Sequence, residues 1–466
     1  MRLFISYFLI LLFAGSAFGQ NDDSVFIKKI SDEILVNGKA YDNLRELTKQ
    51  IGGRLAGSPQ MVKAEQWGLK RMQESGADKA WMQECMVPHW VRGGKDEMWS
   101  MQLASANKPG VADAHLVKRY YDVVALGNSM GSGMQGVTGD VLLVRSFDEL
   151  EKRKEEVKGK IVFYNYKFND TFVETFRAYG DAGKYRGGGP STAAKYGAVA
   201  VIVRSLSNST DNNPHTGATR YDSAYAKIPA VAIGLQDADS LAARLATRQV
   251  QVTIKTYGHF LPDTTGHNII GELRGTEFPE QIITIGGHLD SWDNCEGAHD
   301  DGAGVVQTIE VLRALKALGY KPKHTIRFVL FANEENGLRG GTKYADEAKA
   351  KNENHILALE SDEGGFTPRS IGFTGTDEQF QKVVKWKPLI APYGCAEIRT
   401  GGGGADIGNL NRLLKTPLAS LNPDQQRYFD VHHSRGDVFE AVNKRELHLG
   451  AINIAAFIYL VDKYGL

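Results

Sequence analysis

The chain has 466 residues, enough for more than one domain with a substantial core. Its 55 lysines and arginines balance 55 aspartates and glutamates, so the formal net charge is zero. This balance provides no net field for nucleic acid or an anionic membrane surface, and we therefore expect peptide-like substrates and no nucleic-acid partner.

The N-terminus predicts a cleaved export signal. Arg2 precedes an apolar run from Leu3 to Phe13, and small residues follow as far as Gly19. The run is shorter than the roughly 20 residues that span a bilayer, which favours cleavage near Gly19 over a membrane anchor. Residues 1–19 are predicted to be a signal peptide, and the mature protein to be exported (secreted or periplasmic) and not membrane-bound.

The cysteine content excludes a disulfide framework. Cys85, Cys295 and Cys395 are the three cysteines, and they lie far apart in sequence. Even in an exported protein, at least one of these thiols must stay unpaired or find a partner in another chain.

The chain before residue 121 is predicted to begin with two helical stretches. Apolar residues recur at helical spacing within residues 26–58, and a second amphipathic run covers residues 64–76. A Gly- and Ser-rich segment at 127–140 is typical of a linker or hinge.

An inserted module is predicted at residues 121–256, because this part carries no ligand pattern of its own. A loose segment at 256–268 is expected to close it. Helical runs separate four predicted short strands, at residues 140–146, 160–166, 198–205 and 228–234.

The second half of the chain alternates apolar strands with helices, which predicts an α/β fold with a mostly parallel sheet flanked by helices. The catalytic domain is predicted to comprise residues 20–120 and 257–466. Its strands are expected near residues 281–287, 325–333, 355–361 and 417–423, and its main helices near 302–319 and 446–465.

Imidazoles and carboxylates follow the predicted strands where ligands commonly bind, at the carboxyl edge of the sheet. Each alone is more typical of a solvated turn or a helix N-terminus, but their conjunction favours a metal site. A set without thiolates suits zinc or a similar divalent ion. The residues are His288, Asp290, Asp300, Asp301, Glu334, Glu335, Asp362, His432 and His433.

The number of groups fits two metals. Two ions about 3.5 to 4 Å apart need two private ligands each and one shared carboxylate. A further carboxylate outside the metals must take a proton from water. The adjacent pair Glu334 and Glu335 offers one ligand and one base.

The segments "GGHLDSWD", "GAHDDGAG", "ANEENGLRGG", "ESDEGG" and "HHSRGD" resemble the co-catalytic zinc peptidases, a family that includes bacterial leucyl aminopeptidases and glutamate carboxypeptidase. The resemblance to plasma glutamate carboxypeptidases is closer. It extends over nearly the whole mature chain, through segments such as "RLAGS", "VPHWVRG" and "NPHTGATRY". It implies the zinc peptidase fold, with a protease-associated domain at 121–256.

The resemblance also implies two Zn²⁺ per chain and a cis peptide between Asp300 and Asp301. The roles that it implies are His288 and Asp362 on one zinc, Glu335 and His433 on the other, Asp300 as the bridge, Glu334 as the general base, and Asp290 as the carboxylate that orients His288.

Some residues near these motifs are ambiguous. His432 competes with His433, and because neighbours in extended backbone point to opposite sides, we expect one of the two to face the metals. The resemblance favours His433, because its spacing to Asp437 matches the motif of the family. His299 and Cys295 have no counterpart in the resemblance; contact with the metals is an alternative for each, and we expect both to face solvent.

The predicted reaction is hydrolysis of dipeptides or short peptides, with a carboxypeptidase or dipeptidase preference that rests on the resemblance. An aminopeptidase of the same family is the alternative; a receptor-like protein and a glutaminyl cyclase are remote, because the implied ligand set is complete. In the glycine-rich loop 399–408, Asp406 would suit a substrate amine and Arg399 a carboxylate. The resemblance also suggests a homodimer, with loops near residues 88–90 contributing.

Overall fold

The structure is a computed structural model, and it describes residues 22–103 and 116–466. The predicted signal peptide lies outside these residues. Within the described ranges, no helix is both long and apolar enough to cross a membrane.

The described residues form sixteen strands in two sheets. In chain order they are β1 Lys79–Val91, β2 Glu97–Leu103, β3 Leu116–Tyr121, β4 Val123–Ala125, β5 Val137–Val144, β6 Ile161–Tyr164, β7 Ala200–Arg204, β8 Ala230–Ile233, β9 Gln251–Lys255, β10 His259–Leu273, β11 Phe278–His288, β12 His324–Phe331, β13 Asn354–Glu360, β14 Pro368–Thr374, β15 Glu397–Thr400 and β16 Leu418–Pro423.

The α-helices of the described residues lie mainly on the faces of these sheets. They are α1 22–37, α2 Ala40–Glu46, α3 Pro59–Glu74, α4 Phe147–Lys152, α5 Thr175–Gly187, α6 Gly189–Ala194, α7 Leu235–Leu245, α8 Ala303–Ala317, α9 Glu334–Gly337, α10 Arg339–Ala350, α11 Asp377–Val384, α12 Lys387–Ile390, α13 Gly408–Leu414, α14 Tyr428–Val431 and α15 Lys444–Tyr464.

The first sheet carries the predicted metal ligands. Its strand order is β1-β10-β12-β11-β13-β16-β14-β15. The central strands β12, β11, β13 and β16 run parallel, so their carboxyl ends meet at one edge, and β14 pairs with β15 in parallel. The outer pairs β1·β10 and β10·β12 and the pair β14·β16 are antiparallel. The α/β class is confirmed, in a sheet whose parallel part is central.

The central strands are parallel because both of their faces are covered. Every residue of β12 is buried, as expected for a strand between two helical layers. On one face, α8 packs against β11 and α15. Twelve of the fifteen residues of α8 are buried, which leaves almost no solvent-facing stripe on this helix.

The second sheet has the order β3-β2-β9-β5-β6-β7-β8-β4. It begins with β2 and ends with β9, so it starts upstream of the predicted boundary at residue 121. We call its residues, 97–103 and 116–255, the second-sheet module. The predicted strands at 140–146, 160–166, 198–205 and 228–234 correspond to β5, β6, β7 and β8. The assignment of a protease-associated domain stays a prediction.

One expectation about secondary structure is wrong. The segment 256–268, predicted to be loose, forms most of β10, a fifteen-residue strand paired with β1. The first half of β10 is exposed, so its sequence lacks an apolar pattern. Its extended backbone is held by hydrogen bonds to a strand more than 170 residues earlier, as in the pair Cys85 and Gly266.

Candidate active site

His288 is the last residue of β11, and its imidazole is buried at the carboxyl edge of the first sheet. Its Nε2 lies 3.2 Å from Asp300 Oδ1 and 3.2 Å from Asp362 Oδ1. These three residues form one cluster whose donor atoms are close enough to share a metal ion. These are the residues that the resemblance implied for the first zinc: His288 and Asp362, with Asp300 as the bridge.

His433 forms the second cluster with the other oxygen of Asp300. Its Nε2 lies 3.2 Å from Asp300 Oδ2 and 3.1 Å from Glu335 Oε2. Asp300 therefore stands between the two histidines and offers one carboxylate oxygen to each. Burial opposes ionisation of Asp300, but hydrogen bonds from His288 and His433 lower its pKa well below the usual range.

The expectation that His432 and His433 point to opposite sides is wrong. Their rings stack with centroids 3.6 Å apart, and His432 Nε2 lies 3.5 Å from Asp300 Oδ2. The backbone is not extended here, because His433 has a φ of 62°. Both imidazoles therefore face Asp300, and His433 differs from its neighbour by its contact with Glu335.

The loop that carries Asp300 is held by carboxylates on both sides. Asp437 accepts the main-chain N–H groups of His299 at 2.7 Å and Asp300 at 3.1 Å. Asp301 accepts the N–H of His288 at 3.0 Å and that of Gly304 at 2.9 Å. The peptide bond between Asp300 and Asp301 is cis, as the resemblance implied.

Asp290 contributes to the site in two ways. Its main-chain oxygen is 2.9 Å from His288 Nδ1, so it accepts the ring N–H and leaves Nε2 for the metal side. Its carboxylate lies further from that nitrogen, at 3.8 Å, and accepts the N–H groups of Glu334 at 2.9 Å and Glu335 at 3.3 Å. The carboxylate therefore positions the acid pair, and the carbonyl orients the imidazole.

Glu334 follows β12 at the edge of the cavity and is half-buried. Asn333 before it has a φ of 62°, which turns the chain sharply out of the strand. Burial raises the pKa of Glu334 well above its usual range, and the nearby carboxylates of Asp362 and Glu335 raise it further, against the opposing charge of His288. A carboxyl in this setting is suited to accept and return a proton.

His299 and Cys295 lie outside both clusters, and the expectation of a solvent-facing His299 is wrong. The His299 ring is buried and stacks on Phe366 with centroids 4.1 Å apart, and its Nδ1 accepts the N–H of Gly365 at 3.1 Å. Cys295 is partly buried, with Sγ 3.5 Å from the Trp292 carbonyl oxygen. The three cysteines are free thiols.

The two clusters open into a cavity of about 740 Å³ between the first sheet and the second-sheet module. The predicted site residues on its wall are Asp300, Glu334, Glu335, Asp362, His432 and His433. The module supplies the opposite wall, which was not predicted, with the residues Asn128, Phe176, Tyr179, Lys184, Arg186 and Arg220.

The residues proposed from the glycine-rich loop do not line this cavity. Asp406 is buried beside Glu360, and Arg399 is exposed with Nη1 3.9 Å from Glu174 Oε1. A side chain at Gly404 would collide with the Glu360 carboxyl, so close packing explains that glycine. The segment at residues 88–90 is also not an exposed loop, because it belongs to β1 and Trp90 is buried.

Sequence reasoning missed two supporting residues as well as the cavity wall. Asp437 entered the prediction only through its spacing to His433. In the structure its carboxylate accepts the main-chain N–H of Asp300 and so anchors that loop. Arg54, within the quoted segment "RLAGS", is buried and donates to the carbonyl oxygens of Leu289 and Gly297 at 2.5 and 3.0 Å. The sequence signal for this role was an arginine in a turn whose other residues are small or apolar.

Paired histidine and carboxylate clusters at the carboxyl edge of a central parallel sheet define the class of metal-dependent hydrolases. The comparison with known families agrees: the model of Peptidase family M28 matches residues 268–458. Human carboxypeptidase Q is 34% identical over 448 residues, which cover 94% of this chain and 88% of that protein. The chain belongs to peptidase family M28, and the predicted zinc metallopeptidase class is confirmed at this level.

Solved structures extend the likeness to the whole fold. A Peptidase M28 precursor from Shewanella amazonensis has a TM-score of 0.87 at 31% identity, over 95% of this chain and 97% of that chain. A zinc aminopeptidase from Bacillus subtilis has a TM-score of 0.63 at 21% identity, over 91% of this chain and 94% of that chain. The second likeness shows a shared fold.

Proposed function

We propose that the protein is an exported dinuclear zinc exopeptidase that hydrolyses dipeptides or short peptides and recognises their free carboxylate, in the manner of carboxypeptidase Q. The observation that carries this proposal is the position of Asp300. One carboxylate oxygen faces the His288 and Asp362 cluster and the other faces His433, in the same cavity as Glu334. A shared carboxylate between two ligand sets is the arrangement that a pair of metal ions requires.

The donor groups fit zinc. They are imidazole nitrogens and carboxylate oxygens without sulfur, which zinc accepts in hydrolytic sites. Glu335 Oε1 is buried, and no described residue provides it with a hydrogen-bond partner. A buried carboxylate oxygen without a donor is costly unless a cation compensates it. His288 and Asp362 would hold one ion, Glu335 and His433 the other, and Asp300 both.

Two zinc ions held there would supply Lewis acidity, which would polarise the scissile carbonyl and make a water more acidic. Glu334 supplies the proton transfer: its carboxylate takes a proton from the attacking water and returns it to the departing amine. Asp290 keeps Glu334 in place through the main-chain hydrogen bond at 2.9 Å. Proton transfer and ligand binding are thereby divided between adjacent residues, Glu334 and Glu335.

The cationic wall supports recognition of a substrate carboxylate. Lys184, Arg186 and Arg220 of the second-sheet module line the cavity opposite the acidic clusters. Arg220 is exposed and has no ion-pair partner within the described ranges. A guanidinium in this position can bind a carboxylate in a bidentate way. The C-terminal carboxylate of a short peptide is the group that this wall fits.

An aminopeptidase is the alternative, and the lining of the cavity weighs against it. Among protein side chains, a carboxylate binds a free ammonium group most strongly. The acids that line the cavity are Asp300, Glu334, Glu335 and Asp362, and each already has a proposed role at the metals. No further acid from the described part of the chain faces the cavity.

Export and assembly complete the proposal. Cleavage near Gly19 would release a mature protein without a membrane segment, and N-terminal sequencing of the secreted form tests this. A homodimer remains our expectation, which light scattering tests. Peptides are the proposed partners of the site, and nucleic acid is not.

The test is hydrolysis of dipeptides with free, N-acetylated or C-amidated ends by zinc-loaded enzyme. Loss of activity on amidation but not on acetylation supports a carboxypeptidase, and a need for both free ends supports a dipeptidase. Activity that tolerates amidation but not acetylation would favour the aminopeptidase. Glu334→Gln should lower kcat by about 10² to 10⁴ while the bound zinc is unchanged. Wild-type turnover in Glu334→Gln would refute the mechanism.

A further inference from the structure

Residues 213–219 of the second-sheet module, which we call the strap, lie against the segment that carries His433. They contain most of the sequence motif "NPHTGATRY"; the proposed reaction uses Arg220 of this motif and gives no role to the strap itself. Thr216 N–H donates to the His433 carbonyl oxygen at 2.9 Å, and Arg435 Nε donates to Asn213 Oδ1 at 2.6 Å. The strap therefore connects the second-sheet module directly to the second metal cluster.

The strap also contacts the imidazole of His433. His433 Nδ1 lies 3.3 Å from the Thr216 carbonyl oxygen and 3.5 Å from Arg186 Nη1, which itself donates to that carbonyl at 3.3 Å. With its proton on Nδ1, the ring donates to the Thr216 carbonyl oxygen and leaves Nε2 facing Asp300 and Glu335. Metal-binding histidines are commonly oriented by such a bond on their second nitrogen. For His288 the orienting carbonyl is local, from Asp290. For His433 it comes from a residue 217 positions away in the chain.

His433 needs this external support because its backbone is unfavourable. Its φ of 62° lies in the left-handed region, which residues with a Cβ seldom occupy unless neighbouring groups hold them there. His215 provides such a hold. Its side chain is 2% exposed, and Nδ1 donates to the main-chain oxygen of His432 at 2.7 Å. This bond fixes the peptide that leads into His433.

His215 is itself held from within the module. Its main-chain N–H donates to Ser205 Oγ at 2.9 Å, and Ser205 Oγ donates to the Ile233 carbonyl oxygen at 2.7 Å. Ser205 follows β7, and Ile233 is the last residue of β8. The path from the second sheet to the metal cluster is thus a continuous set of short hydrogen bonds.

We propose that His215 is a positioning residue for the metal ligand His433, so that the second-sheet module completes one of the two zinc sites. The inference rests on the proposed function, because it takes His433 to be a zinc ligand. His215 does not touch the metal cluster. It acts through the main chain of His432, while the Thr216 carbonyl orients the imidazole.

The experiment measures the affinity of the full-length mature protein for each zinc ion, by competition with a chromophoric chelator. His215→Phe keeps a ring but removes the donor, and we expect it to weaken one zinc by about 10- to 100-fold and leave the other unchanged. His215→Asn, whose amide can donate from nearly the same place as Nδ1, should restore the affinity. Co²⁺ loading should show an altered absorption spectrum in His215→Phe and not in His215→Asn.

Two further variants make the result decisive. Thr219→Val removes a hydroxyl bond of the strap to the Gly187 carbonyl oxygen and should bind both zinc ions as the wild type does. Ser205→Ala removes the hydroxyl that accepts the main-chain N–H of His215. It should weaken binding of the same zinc ion as His215→Phe does. If His215→Phe does not fold, Ser205→Ala decides the question. Wild-type affinity for both ions in the folded variants would overturn the inference.

His433→Ala distinguishes failure of the inference about His215 from failure of the proposed function. It should lose one zinc. If it keeps both with wild-type affinity, the ligand assignment itself is wrong. If it loses one zinc while His215→Phe and Ser205→Ala keep both at wild-type affinity, only the role of the strap is refuted.

Discussion

The carboxylate of Asp290 accepts the main-chain N–H of Glu334 at 2.9 Å, so the side chain that was expected to orient a histidine positions the proposed general base. The carbonyl of Asp290 orients His288, and a substitution of the side chain leaves that carbonyl in place. The two roles of Asp290 can therefore be separated by mutation.

Asp290→Asn should lower kcat and preserve zinc binding. Its amide has one acceptor oxygen for the N–H groups of Glu334 and Glu335, and its NH₂ group faces donors. We expect kcat to fall by about 10- to 100-fold with little change in KM. Asp346→Asn, which alters an exposed acid of α10 outside the cavity, is the matched control and should be close to the wild type. Loss of one zinc in Asp290→Asn would contradict this division of roles.

Arg220→Gln tests the cationic wall. Arg220 lines the cavity opposite the metal clusters, and a charge-assisted hydrogen bond to a substrate carboxylate contributes about 1.5 to 3 kcal/mol. We expect kcat/KM for peptides with a free carboxylate to fall about tenfold or more, chiefly through KM. The low activity on C-amidated peptides should not change.

Arg248→Gln is the control for Arg220→Gln. Arg248 is an exposed arginine of the same module, and it lines a different, smaller cavity of about 280 Å³. Equal losses in the two variants, or equal losses on free and amidated peptides, would show that general charge rather than a carboxylate subsite is responsible.

The parts of the fold that the sequence predicted are those encoded by local pattern. β12 is a nearly continuous apolar run, interrupted by Arg327, and the acids after it mark the edge of the sheet. The exposed first half of β10 has no such pattern. It forms a strand because it pairs with β1, not because it is buried. Whether His432 and His433 face the same side depends on the left-handed backbone conformation of His433. The periodicity of the sequence does not show that conformation.

The candidate site also has one part that the sequence predicted and one part that it did not. The proposed ligands at strand ends were predictable, since His288 ends β11 and Glu335 lies in the short helix just after β12. The opposite wall was not predictable, because Tyr179 and Arg220 belong to a module whose own sequence has no ligand pattern. They reach the cavity only through the packing of two sheets. Composition alone gives no account of such contacts.

Removal of the metals should destabilise the protein as well as inactivate it. Without cations, Asp300 lies among the acids Glu335, which is buried, and Asp362, which is half-buried, and burial raises the pKa of Glu335 to about 7. A ligand that binds only the folded state stabilises it by mass action. Dialysis against a chelator should lower Tm, and calorimetry should show recovery after two equivalents of zinc. Full recovery after one equivalent would contradict a dinuclear site.

The stability of the fold should also decline in acid for a reason remote from the metals. His448 lies in α15, is 2% exposed, and has no hydrogen-bond partner for Nε2 within the described ranges. Burial, together with the charges of Lys444 and Arg313, lowers its pKa to about 4. Its usual pKa is about 6.5, so the unfolded chain binds this proton more readily than the folded one.

The sign of the effect follows from this difference. His448 costs no stability above about pH 6.5, and its contribution becomes unfavourable as the pH falls from there towards 4. In His448→Gln this part of the acid dependence should disappear. We would measure urea unfolding of zinc-loaded wild type and variant between pH 4.5 and 7.5, with His355→Gln as a second buried-histidine comparison. Parallel pH curves for wild type and His448→Gln would show that His448 stays neutral in both states or is charged in both, against the burial that the structure shows.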